Sequence, residues 1–418
     1  MDKIIIEGGR KLKGEVEVSG SKNACLPLMV AALLGKGRSR ITGAPDLMDV
    51  RTMGQVIRTL GAEAELADGV FSLDSRGFSR CEAPYDLVRT MRASIYVMGP
   101  LLARLGRARV SLPGGCAIGA RPINLHLAGF EALGAKVVLK HGYVEATAKK
   151  LKGARIVLDK PSVGATCNLM MAAALAQGTS YLHNAAQEPE ITDLANFLNR
   201  MGGRVQGAGT DCIEIKGVSS LTGCEYAVIP DRIEAATFLC AAAITGGSIR
   251  VRRARLDHLG FVAEKLALHG MQLSEEDGAL RVVPARGPKP VNICTMPYPG
   301  FPTDLQAQWM ALMAVTPGTS VITETIWENR FLHVSELTRL GADISIQGNS
   351  AVVKGVRRLS GAPVMASDLR ASAALVLAAL AARGRTEISR IYHLDRGYEA
   401  LEKKLARLGA RVKRVGAA

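Results

Sequence analysis

Apolar positions along the chain recur in two patterns. From Val50 to Leu60 and from Asp193 to Met201 they fall three and four apart, the spacing of one face of an amphipathic helix. Elsewhere the runs are apolar all round. Examples are Ala31-Ala32-Leu33-Leu34, Ala241-Ala242-Ala243-Ile244 and the longest, Ala373 to Ala382, which stops at Arg383. A helix without a polar face predicts burial on every side. Such runs lead into a glycine and a short β-branched stretch, which predicts a strand.

A longer period lies over this one. Leu-Gly-Ala, with a strand-like run behind it, occurs at Leu60, Leu133, Leu340 and Leu408, with degenerate copies at Met201-Gly202-Gly203 and His269-Gly270-Met271. The glycines stand at 61, 134, 202, 270, 341 and 409, giving intervals of 73, 68, 68, 71 and 68. Each closes a helical pattern, where glycine in the left-handed conformation is the expected stop. The unit reads helix, strand, helix, strand, with further short strands before the next copy. A period near 70 is too long for the common solenoids. It predicts compact βαβ-type units around a pseudo-threefold axis, three to a domain, and 418 residues suit two such domains.

The first helix of each copy opens on Ser21-Lys22-Asn23, Thr90-Met91-Arg92, Ser162-Val163-Gly164, Asp231-Arg232-Ile233-Glu234, Thr303-Asp304-Leu305-Gln306 or Ser367-Asp368-Leu369-Arg370. Each start holds a good N-cap residue; Thr303 with Gln306 reads as a capping box, and Asp231 with Glu234 resembles one. Helix N-termini attract anions. Capping explains the Ser, Thr and Asp residues but not four cations, Lys22, Arg92, Arg232 and Arg370, placed where the dipole disfavours them. That misfit points to an anionic ligand.

Composition narrows the class. There are 53 Lys+Arg against 38 Asp+Glu, a formal charge of +15, yet positive residues never run longer than two. Eight Phe, eight Tyr and two Trp leave little for base stacking, so small anions fit better than nucleic acid. No apolar run reaches the ~18 residues of a membrane span, and Met-Asp-Lys-Ile-Ile-Ile-Glu is too short for a signal peptide, which predicts a cytoplasmic protein. The eight cysteines form no C-x-x-C and no Cys/His pair, so neither zinc nor a disulfide framework is expected. Seven of them read as small core residues. The eighth, Cys116, lies in Leu112-Pro113-Gly114-Gly115-Cys116-Ala117-Ile118-Gly119-Ala120-Arg121-Pro122, a glycine-rich loop after a strand. A thiol on such a loop near Arg121 is placed for reactivity.

These motifs resemble those of the UDP-N-acetylglucosamine 1-carboxyvinyltransferases, members of the enolpyruvyl transferase family. The resemblance is carried by Pro113 to Pro122, Ser19-Gly20-Ser21-Lys22-Asn23, Arg89-Thr90-Met91-Arg92-Ala93-Ser94, Tyr298-Pro299-Gly300-Phe301-Pro302-Thr303-Asp304, the Thr323 to Phe331 segment and Asp368-Leu369-Arg370-Ala371. It runs from the first strand to the last helix. It implies a two-domain inverse α/β barrel of six βαβαββ repeats. One domain would join residues 1–20 to 230–418, and the other would hold 21–229.

The resemblance further implies transfer of the enolpyruvyl group of phosphoenolpyruvate to the 3′-hydroxyl of UDP-N-acetylglucosamine, with release of phosphate. This is the first committed step of peptidoglycan synthesis. Cys116 would be the general acid at the methylene carbon, able to add covalently, and the thiol that fosfomycin alkylates. Asp304 would be the base, with Lys22 and Arg396 also in the catalytic set. Lys22, Arg92, Arg121 and Arg396 would hold the phosphate beside Asn23, and Arg330 and Arg370 the carboxylate, groups that bidentate guanidinium geometry suits. The UDP-sugar would meet Asn23, Arg92, Arg121, Pro122, Ile123, Asn124, Leu125, Lys160, Ser162, Val163, Gly164, Asp304 and Ile326. Neither cofactor nor metal is implied. Domain closure with the Gly114-Gly115 loop as lid would exclude water.

Three positions depart from the family pattern: Asn124 replaces an acidic residue, Tyr96 a common Trp, and Gln187 a frequent Arg. Two alternatives remain open. A sister class acts on shikimate 3-phosphate but lacks the loop cysteine. An inactive anion-binding scaffold has no need of a lid thiol.

Overall fold

The computed structural model describes residues 2–88, 91–112 and 123–416, with only the backbone of Arg92. Its described residues form two compact units. One holds the chain through Ser19 and from Pro230 onward, and the other the residues between.

Among the described residues six four-stranded sheets, three to each unit, share one wiring: a parallel pair at one edge, then two antiparallel pairings. An unbroken copy runs from strand Arg155–Val157 through helix Val163–Ala173, strand Thr179–His183 and helix Pro189–Arg200 to strands Val205–Gln206 and Cys212–Lys216. The helix between the two parallel strands is the crossover that parallel pairing requires.

Three sheets take a strand from far along the chain. Glu225–Ala227 lies parallel to Arg38–Thr42, and Lys13–Glu17 lies parallel to Ser248–Arg252. Lys3–Glu7 sits between Arg385–Ser389 and Arg411–Val415. The sequence period is therefore regular although half of the sheets are completed at a distance.

Helices without a polar face form the centre of each unit. Arg232–Thr245, Gln306–Met313 and Leu369–Ala381 pack on one another, and in the last every residue from Arg370 to Leu380 is buried. Lys22–Ala31, Met98–Leu105 and Val163–Ala173 occupy the equivalent places in the other unit. Amphipathic helices such as Met48–Thr59 and Pro189–Arg200 bury only one side. The six repeat glycines all adopt positive φ, from 90° to 116°, which turns the chain from helix to strand.

The helix starts need correction in three places. Ser21, Ser162, Asp231 and Asp368 do cap their helices. Thr303 makes no capping box: it opens a 3-10 turn, Thr303–Leu305, and its hydroxyl bonds Glu324 instead. Glu234 accepts from the Ser19 amide, 2.7 Å away, and pairs with Lys404 rather than closing a box on Asp231. The second start is a 3-10 stretch, Arg92–Val97, without a side-chain cap. The cysteines also divide differently. Cys25, Cys167 and Cys240 are buried, Cys81, Cys212 and Cys224 are half-buried, and Cys294 is exposed.

One buried histidine gives a pH test. Thr316 donates its hydroxyl proton to the Leu312 carbonyl, so His269 Nε2, 3.1 Å away, donates to Thr316. Burial lowers its pKa from 6.5 to about 4. The folded form thus resists protonation more than the unfolded form. Its contribution is complete above pH 6.5 and is lost as pH falls toward 4, about 3 kcal/mol in all. His269→Phe should lose less stability than the parent between pH 7 and 4.5 in urea titrations. Equal losses would remove His269 from the acid response.

Candidate active site

Asp304 is the residue on which the first unit's candidate groups converge. It lies in the 3-10 turn ahead of helix Gln306–Met313. One carboxylate oxygen meets Arg330 Nη2 and the other Arg370 Nη2, each at 2.9 Å. Both guanidiniums are buried, with side chains 4% and 5% exposed, while Asp304 keeps 30%. Arg330 is therefore no surface cation: its partner lies 26 residues earlier in the same repeat.

Arg370 occupies the first turn of helix Leu369–Ala381, where a cation opposes the dipole. Burial works most strongly against its charge, yet Asp304, Tyr398 and Asp231 together more than offset it, so its pKa is raised. Arg370 Nη1 reaches Tyr398 OH at 3.3 Å, and the guanidinium carbon lies 5.6 Å from that ring's centre. Asp368 orients the start of the helix by accepting from the Arg370 and Ala371 amides.

Behind Arg370 lies a buried polar cluster. Gln308 Nε2 is 3.1 Å from both the Asp304 carbonyl and Tyr398 OH. Thr237 gives its proton to the Ile233 carbonyl, so Tyr398 donates to Thr237, 2.9 Å away. The backbone of Asp304 and the guanidinium of Arg370 thus share one hydrogen-bonded support.

Glu324 fixes the segments that carry Asp304, Ile326 and Arg330. Its Oε1 accepts from Thr295 Oγ1 and the amides of Ile326 and Trp327, and Oε2 from Thr303 Oγ1, at 2.8–3.2 Å. Hydrogen bonds to a buried charge are worth about 1.5–3 kcal/mol each. Glu324→Ala should therefore lower stability by at least about 3 kcal/mol, with Glu324→Gln in between. Urea unfolding measures this, and a change below about 1 kcal/mol would contradict it.

Arg396 ends the short helical turn Ile391–Arg396 and is half-buried. Its neighbour Asp395 pairs with Arg414 at 2.8 Å.

The second unit gathers the other groups. Lys22 Nζ lies 3.0 Å from Asp49 Oδ2, with both side chains largely buried, and Asn23 follows on the same turn. Ser162 accepts from the Ala165 amide, placing Val163 and Gly164 in the first turn of that helix. Ile123 and Asn124 begin the next helix, Asn124–Ala132. Its His126 is held by Asn168, which also bonds the Ile95 carbonyl and Gly99 amide. Asn168 thereby ties the Asn124 and Val163 helix starts to the 92–97 turn. Lys160 and Asn124 are exposed, whereas the Leu125 side chain belongs to the hydrophobic core. Cys116, Arg121 and Pro122 lie outside the described residues, as does the Arg92 side chain.

Asp49, Gln308, Thr237 and Tyr398 escaped sequence reasoning because each acts through a distant partner. Glu324 stood inside a quoted motif, but nothing local marks it as a buried acceptor. Among the described residues no group of His, Cys, Asp or Glu side chains is arranged to hold a metal ion. None of the described helices is long and apolar enough to cross a membrane.

The family model described as EPSP synthase (3-phosphoshikimate 1-carboxyvinyltransferase) matches residues 6–405. A UDP-N-acetylglucosamine 1-carboxyvinyltransferase of Trichlorobacter lovleyi is 62% identical over 416 residues, covering 99% of both chains. One of Geobacter metallireducens is 61% identical, covering 99% of this chain and all of the relative. The crystal structure of the enolpyruvyl transferase NikO from Streptomyces tendae matches with a TM-score of 0.89 and 29% identity, covering 100% of this chain and 99% of that one. EPSP synthase from Acinetobacter baumannii matches in fold, with a TM-score of 0.77, 19% identity and full coverage of both chains.

Proposed function

Since the chain belongs to the enolpyruvyl (carboxyvinyl) transferase family, we propose that it transfers the enolpyruvyl group of phosphoenolpyruvate to the 3′-hydroxyl of UDP-N-acetylglucosamine. The observation that carries this reading is the pair of buried guanidiniums converging on one carboxylate at Asp304. Such a pair suits the carboxylate of phosphoenolpyruvate. The near-full-length relatives at 62% and 61% identity favour the UDP-sugar over shikimate 3-phosphate as acceptor.

In this reading Asp304 takes the proton of the sugar hydroxyl as its oxygen bonds C2 of phosphoenolpyruvate. Cys116 gives a proton to the methylene carbon, making it a methyl group. In the second half-reaction a methyl proton leaves, the C2–O bond to phosphate breaks and the double bond re-forms. Lys22, Arg92, Arg121 and Arg396 hold the phosphate beside Asn23, and the same cations stabilise it as a leaving group. Arg330 and Arg370 take the carboxylate. Asn23, Arg92, Arg121, Pro122, Ile123, Asn124, Leu125, Lys160, Ser162, Val163, Gly164, Asp304 and Ile326 meet the sugar nucleotide. Leu125 does so through its backbone, given its buried side chain. The reaction belongs to peptidoglycan synthesis in the cytoplasm, with small anions as partners rather than nucleic acid.

A ligand-shift experiment separates the two acceptors. UDP-N-acetylglucosamine should raise the melting temperature and shikimate 3-phosphate should leave it unchanged. The reverse pattern would transfer the proposal to the sister class.

A further inference from the structure

We propose that Asp304 holds the place of a ligand carboxylate between Arg330 and Arg370 and that the incoming carboxylate displaces it. The inference rests on the reading above for the identity of the ligand. Two buried guanidiniums cannot be left without an anion, because an unpaired buried charge is strongly disfavoured. Asp304 supplies that anion, one oxygen to each arginine at 2.9 Å.

The local structure allows the exchange. Asp304 retains 30% exposure while both arginines are nearly enclosed, so the carboxylate has an outward path and the cations do not. Its backbone is held independently, since Gln308 Nε2 bonds the Asp304 carbonyl and the preceding Thr303 hydroxyl bonds Glu324. The side chain therefore turns about its own bonds while the main chain stays fixed. Tyr398 and Asp368 keep the Arg370 end in place during the exchange.

The exchange has a chemical consequence. A carboxylate shared by two guanidiniums is a poor proton acceptor, since both cations favour its charged form. Once a ligand carboxylate has taken the arginines, Asp304 is released with its basicity restored. Occupancy of the carboxylate site thus switches on the base. Ligand binding meanwhile carries the cost of breaking two ion pairs, which lowers apparent affinity.

The test uses Asp304→Asn, which keeps the shape and removes the charge. Calorimetry would measure binding of phosphoenolpyruvate and of pyruvate, a carboxylate without phosphate, at fixed salt. The variant should turn over at least about a hundredfold more slowly and yet bind both ligands about tenfold more tightly. Equal or weaker binding by the variant would overturn the proposal. A second readout needs no variant: in crystals of the unaltered protein with pyruvate bound, the ligand should lie between Arg330 and Arg370 with both Asp304 contacts broken. Persistence of both 2.9 Å contacts in that complex would equally overturn it. If the unaltered protein binds pyruvate at the arginines but shows no turnover with phosphoenolpyruvate and the UDP-sugar, the proposed reaction fails while the exchange stands.

Discussion

Arg370→Ala should lower kcat/KM for phosphoenolpyruvate by about 10²–10³, the range for losing one charge-stabilising donor in an active site. The same change should destabilise the unit by about 3–5 kcal/mol, because it breaks a buried ion pair. The reasons lie in three contacts. Arg370 is one of two cations on Asp304, it donates a hydrogen bond to Tyr398, and it fills space in a helix buried from Arg370 to Leu380. Arg370→Lys should divide the two effects. It restores the charge and part of the volume but not the fork that serves Asp304 and Tyr398 together. Stability should then recover more than the KM for phosphoenolpyruvate. Steady-state kinetics beside urea unfolding would measure both. A lysine variant with parental KM would show that guanidinium geometry is irrelevant at this position.

Cys116→Ser should have the larger effect on turnover, a fall in kcat of about 10²–10⁴, the usual worth of a positioned general acid. A serine hydroxyl conserves the shape but is a far weaker acid than a thiol. Binding of UDP-N-acetylglucosamine should be retained, since Cys116 is not among the residues proposed to meet the sugar nucleotide. Turnover near the parental rate would leave Cys116 as a loop residue and move the proton to another group.

The architecture was legible because its signal is local. A glycine in the left-handed conformation ends each outer helix, and its recurrence near every 70 residues marks the repeat without reference to any distant contact. The inner helices declared themselves in the same way, by lacking a polar face. What stayed hidden involves partners far apart in sequence. Thr303 and Gln306 have the spacing of a capping box, but the Thr303 hydroxyl donates to the Glu324 carboxylate while the Gln306 amide bonds the Thr303 carbonyl. Glu234 likewise turns to Ser19 and Lys404, 215 and 170 residues away.

The candidate site divides along the same line. Asp304, Arg330 and Arg370 were singled out by the motifs around them. That they neutralise one another appears only once two repeats are brought together. Tyr398, Gln308 and Thr237 carry no local mark of a polar cluster, since each sits in a segment that reads as ordinary helix or turn. Cys294 shows the opposite failure: composition placed it in a core, and its short edge strand leaves it exposed.

The central claim is an acceptor-dependent release of phosphate. Phosphoenolpyruvate should yield inorganic phosphate on incubation with the protein only when UDP-N-acetylglucosamine is present, in amounts equal to the enolpyruvyl product formed. Phosphate release that ignores the UDP-sugar, or that requires shikimate 3-phosphate in its place, would contradict the account.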